Sequence, residues 1–122
     1  MNLASAFALS AEKHGPKAGL FWGETGVSYR AILDQSLRLG CFLRDECHLQ
    51  RGARVGLWLK NCPEFIPSLF GILQAGAVAV PINNFLKTDE VNYILGDAGI
   101  DVLITDAELG PHHRALEASR PH

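Results

Sequence analysis

The chain has 122 residues, of which 48% are hydrophobic and 20% charged. That is enough for one domain or part of one, and it excludes both a disordered chain and a fibrous repeat. Eleven basic residues against thirteen acidic ones leave a net charge of −2. No run of Lys or Arg could neutralise a phosphate backbone or an anionic membrane surface, so nucleic acid is not an expected partner.

The three cysteines, Cys41, Cys47 and Cys62, are odd in number and form no CxxC pair. They are expected to be reduced thiols of a cytoplasmic protein, behaving as small buried hydrophobes rather than as a disulfide framework or a zinc site. Met1 to Lys13 carries no positive leader and no small-residue cleavage pattern, so no signal peptide is expected. The longest apolar run, Phe65 to Ile82, is interrupted by Pro67, Gln74 and Pro81. It suits a buried helix followed by a strand, and no transmembrane segment is expected.

In chain order, Leu3, Phe7 and Ala11 recur at helical spacing and stop at His14-Gly15-Pro16, which predicts a short amphipathic helix. Leu20-Phe21-Trp22 and Val27-Ser28-Tyr29 flank Gly23-Glu24-Thr25-Gly26, a hairpin signal. Ser28 is placed to cap a helix whose inner face is expected to be Tyr29, Ile32, Leu33, Leu37, Gly40 and Leu43. Arg54 to Leu59 is a short apolar run closed by Asn61 and Pro63 and predicts a strand covered on both faces. The helix after it, with Phe65, Ile66, Leu69, Phe70, Ile72 and Leu73 around its axis, should be buried. Pro67 fits only in its opening turn, and Gly76 ends it.

Ala77 to Ile82 reads as a second buried strand, stopped by Pro81 and Asn83-Asn84. Thr88 is expected to cap the next helix, with Asp89 and Glu90 at its positive end. Val91, Ile94, Leu95 and Ala98 make its inner face, Gly99 ends it, and Asp101 to Thr105 gives a third strand. The expected fold class is α/β: an N-terminal hairpin and helices, then a β-α-β-α-β parallel unit from Arg54 to Thr105 with helices packed on the sheet.

Candidates for chemistry are few. His14-Gly15-Pro16-Lys17 ends in Lys as phosphate loops do, but no Ser, Thr and Gly run precedes it and no strand leads into it, so it reads as a helix-ending turn. His112, His113 and His122 could ligate a metal only with carboxylates in the right geometry, and a polar tail is the plainer reading. Asp97, Asp101 and Asp106 lack the rhythm of a calcium loop and fit a helix end, a strand start and a loop. Tyr93 and Trp58 are expected to supply core area with a polar handle at its edge. The residues by themselves define a fold and assign no catalytic, cofactor-binding or metal-binding residue.

Three stretches, taken in order, resemble the start of the adenylate-forming superfamily that includes acyl-CoA synthetases, luciferases and peptide-synthetase adenylation domains. Val27-Ser28-Tyr29-Arg30-Ala31-Ile32-Leu33 is similar to its early Tyr-x-x-Leu helix start. Arg54 to Phe65, continuing through Ala75-Gly76-Ala77-Val78-Ala79-Val80-Pro81-Ile82-Asn83, is the most specific. Thr88 to Leu95, closing with Asp101 to Thr105, is the third. Asp45 to Gln50 stands in place of a Gly-containing turn, Ala53 follows Gly52 where the family has a Gly-Asp pair, and Asn84 stands where the family often has Pro.

The resemblance implies that residues 1–122 are the N-terminal fragment of a larger AMP-binding domain. It implies that the full-length parent uses ATP, Mg2+ and coenzyme A to adenylate a carboxylic acid and pass the acyl group to the thiol. Pro81-Ile82-Asn83-Asn84-Phe85-Leu86-Lys87 is most similar to bacterial fatty acyl-CoA ligases. The family's phosphate loop and its adenine and acyl pockets follow the part present here, so the fragment alone is expected to be inactive and, with its sheet uncovered, prone to self-association. The alternatives are a free-standing flavodoxin-like binding or interaction module and a fragment of an amino-acid adenylation domain.

Overall fold

The structure, a computed structural model, describes residues 3–60, 62–83 and 85–106. The order of elements is α1 (Leu3–Lys13), β1 (Ala18–Trp22), β2 (Thr25–Ser28), α2 (Tyr29–Asp45), β3 (Arg54–Trp58), α3 (Phe65–Gln74), β4 (Val78–Pro81), α4 (Thr88–Asp97) and β5 (Val102–Thr105). β1 and β2 form an antiparallel hairpin, and β3, β4 and β5 a parallel sheet in the order β4-β3-β5. The α/β fold expected from the sequence is the one observed.

Alternation along the central strand divides the core. Val55, Leu57 and Leu59 face a layer made with Leu43 of α2 and Ile72 of α3. Trp58 faces the other way, into a layer with Ile82 and with Val91 and Leu95 of α4. A strand turns successive side chains to opposite faces, so α3 and α4 cover opposite faces of the sheet. β3 is therefore buried on both sides, which is why its sequence reads as a continuous apolar run.

β4, read from the sequence as a buried strand, is an edge, with Val78 exposed and Ala79 and Val80 half-buried. The strand ends at Pro81 as expected, and Pro81 still pairs with Leu57. The Ile82 amide donates to the Leu57 carbonyl at 2.9 Å. Alternation then turns the position of the missing Pro81 amide away from β3, where an edge strand tolerates it.

Ser28 caps α2 as predicted, its Oγ accepting from the Ala31 amide at 3.1 Å. The buried stripe of α2 is Ile32, Ser36, Gly40 and Leu43, whereas the expected Leu37 is exposed. Small residues win this face because α2 crosses α3 closely. A Cβ added to Gly71 would lie 2.8 Å from Leu39 Cβ and 2.9 Å from the Ser36 carbonyl, and one added to Gly40 would lie 3.2 Å from Gln74 Cβ. Ser36 satisfies its hydroxyl locally by donating to the Leu33 carbonyl at 2.8 Å.

Other boundaries shift by a residue or two. The hairpin turn is Gly23-Glu24 alone, since Trp22 pairs with Thr25 and Phe21 with Gly26, and Tyr29 already opens α2. α1 buries Ala4 and Ala11 and leaves Leu3 exposed; Phe7 stacks on Phe70 with ring centroids 4.2 Å apart. α3 is covered mainly along Pro67, Gly71 and Ile72, with its other apolar residues half-buried, and Pro67 does sit in the first turn. Gly76, at φ 78°, provides the left-handed residue that ends it. In α4 the cap position is Lys87 rather than Thr88, and the Lys87 amide donates to Glu90 Oε1 at 3.0 Å.

Candidate functional site

A parallel sheet offers its ligand crevice outside the carboxyl ends of the strands, where neighbouring strands send the chain to opposite faces. Here that point lies between β3, which leads into α3, and β4, which leads into α4. Trp58 ends β3 and Leu59 and Lys60 follow it, Ile82 and Asn83 follow β4, and Thr105 and Asp106 stand at the end of β5.

Local hydrogen bonds shape this rim. Asn83 Oδ1 accepts from the Phe85 amide at 2.9 Å and the Asn83 carbonyl from the Leu86 amide at 3.2 Å, an Asx turn that swings the chain toward α4. Asp106 Oδ2 accepts from the Lys60 amide at 3.2 Å. Trp58 is fully buried and pairs in register with Thr105, whose Oγ1 is a buried hydroxyl with no hydrogen-bond partner among the described residues.

At the opposite end of the same strand pair, Asp101 Oδ2 accepts from the Arg54 amide at 2.9 Å, and the Asp101 amide donates to the Arg54 carbonyl at 2.8 Å. The Arg54 guanidinium also donates to the Ala98 carbonyl at the end of α4. That cation sits at the negative end of the helix. Asp101 and Asp106 thus bracket the β3–β5 pairing, one at each end. The sequence reading placed both correctly at a strand start and a loop, but their partners lie 47 and 46 residues away along the chain, and no local pattern encodes that.

The other candidates fall as follows. His14 to Lys17 is a turn in which the Lys17 amide donates to the His14 carbonyl at 2.9 Å, and Gly15 receives the Arg30 amide at 3.1 Å, so it joins α1 to α2. Asp97 is the last residue of α4. His112, His113 and His122 lie outside the described residues. Tyr93 is 70% exposed and supplies no core, contrary to expectation, because the inner stripe of α4 runs through Val91 and Leu95. With Leu86, Asp89, Glu90 and Ile94 it lines an open depression of about 400 Å³.

Cys41 is exposed, not buried, and its sulfur is 3.6 Å from Arg44 Nη2; Cys47 and Cys62 are half-buried against the α3-side core. Burial pushes the Cys62 thiol up from its ordinary value, and the Glu64 carboxylate adds to this, while the backbone amides of Glu64 and Phe65 oppose it. A thiol held protonated is a weaker nucleophile than a thiolate. Among the described residues no group of three or more His, Cys, Asp and Glu could hold a metal ion, and no helix is long and apolar enough to cross a membrane.

Residues 7–122 match the family of AMP-binding enzymes. The chain is 34% identical over 103 residues to a PKS-NRPS hybrid synthetase, ATPKS, of Aspergillus niger, covering 84% of this chain and 6% of the synthetase. It is 35% identical over 105 residues to a long-chain-fatty-acid–CoA ligase of Bacillus subtilis, covering 85% of this chain and 18% of that ligase. Among solved structures, that of the anthranilate CoA ligase AuaEII in complex with anthranoyl-AMP superposes with a TM-score of 0.91 at 29% identity, over 99% of this chain and 23% of that one. The chain belongs to the AMP-binding, adenylate-forming enzymes, and it spans less than a quarter of the length of each of these three proteins.

Proposed function

We propose that these 122 residues are the N-terminal segment of a longer AMP-forming acid–thiol ligase that adenylates a carboxylic acid with ATP and transfers the acyl group to coenzyme A. The observation that carries this reading is the superposition of nearly the whole chain on a CoA ligase in complex with anthranoyl-AMP, at a TM-score of 0.91. The segment's own contribution is scaffolding: a sheet whose β3–β5 pairing is bracketed by Asp101 and Asp106, with α3 and α4 on its two faces.

ATP, Mg2+ and coenzyme A are assigned to the remainder of the longer protein. This assignment is supported by the sequence, in which no Gly/Ser/Thr-rich phosphate loop is recognised. No residue of this segment is given a catalytic role. The chemical logic is activation: a carboxylate oxygen is a poor leaving group, and AMP is a good one. Stabilising the charge that develops is work for groups beyond this segment.

Within the ligases, a fatty acid is the favoured substrate, supported by the Bacillus subtilis relative and by the residues from Pro81 to Lys87, and a cytoplasmic location accords with three free thiols. A second reading, an amino-acid adenylation domain, is favoured by the similarity to the hybrid synthetase. Release of AMP by the longer protein, assayed across fatty, aryl and amino acids, tests both. AMP release with fatty acids supports the first reading and activity with amino acids alone the second; inactivity with all three classes counts against both.

A further inference from the structure

We draw no further inference here: the strongest candidate, the open depression on the outer side of α4 lined by Leu86, Asp89, Glu90, Tyr93 and Ile94, is an apolar surface for which nothing in the structure shows what covers it.

Discussion

Gly71 of α3 lies directly against Leu39 of α2, so close that a Cβ built on the glycine would stand 2.8 Å from Leu39 Cβ. Gly71→Ala brings an ordinary gain in helix propensity of about 1 kcal/mol. It also forces apart two helices whose nearest opposing atoms include the Ser36 carbonyl, which is backbone and cannot rotate away. Overpacking of this kind costs about 1–3 kcal/mol, so the variant is expected to be less stable than the parent chain. Urea unfolding checks this, and a midpoint at or above that of the parent would mean that the crossing is looser than described.

The carboxylate of Asp101 holds the entrance of β3 against β5 by accepting from the Arg54 amide. Asp101→Ala removes that acceptor and is expected to lower stability by about 1 kcal/mol, the size of one hydrogen bond to a charged group at an exposed site. Asp101→Asn keeps an acceptor oxygen and should recover most of the loss. Equal loss in both variants, read by urea unfolding, would point to the charge rather than the hydrogen bond.

The raised Cys62 thiol and the exposed Cys41 should be told apart by alkylation. Thiolate is the reactive form, so iodoacetamide is expected to label the exposed Cys41 faster than Cys62, whose thiol burial favours keeping protonated. The linkage has a definite sign. Because the folded state favours the protonated thiol, the contribution to stability is complete below the unfolded thiol's pKa and is lost as pH rises through the higher folded value. Peptide mapping of labelled chain over a pH series reads the order, and preferential labelling of Cys62 would overturn it.

Most of this fold is legible in the sequence, because the parallel unit encodes itself locally. The apolar run at Val55 to Leu59, the helical spacing of Val91, Ile94 and Leu95, and Gly76 and Gly99 as helix ends each depend on near neighbours. What was not legible depends on distant ones. Leu37 is as apolar as Leu43, but only the close approach of α3 decides that Ser36 and Gly40 take the inner stripe. Likewise β4 has the composition of a central strand, and only the sheet order makes it an edge. For the rim at the carboxyl ends of the strands, the sequence marked Asn83 as a stop and Asp106 as a loop residue. It could not show the Asx turn of the first or the reach of the second to Lys60.

The same edge governs the behaviour of the isolated chain. β4 presents an outer side with Val78 exposed, and Phe21, Phe42 and Phe85 are also exposed. At about 25 cal/mol for each Å² of apolar surface, a few hundred Å² left uncovered forgoes several kcal/mol, a large part of the roughly 5–15 kcal/mol that holds a domain together. An open strand edge also offers backbone groups to another chain. The 122-residue chain is therefore expected to unfold at low urea and to self-associate with rising concentration. Light scattering over a concentration series, beside urea unfolding, checks both. A strict monomer with a steep transition and several kcal/mol of stability would favour a self-sufficient module.

We propose that this segment is the scaffold-bearing start of an adenylate-forming ligase whose chemistry lies elsewhere in the protein, and that proposal is tested most directly by exchange of labelled pyrophosphate into ATP. It is measured in parallel for the isolated 122-residue chain and for the full protein its gene encodes, with Mg2+ and a panel of fatty, aryl and amino acids. The expected result is acid-dependent exchange by the full protein and none by the isolated chain. Exchange catalysed by the 122 residues alone, or none by the full protein with any acid in the panel, would contradict it.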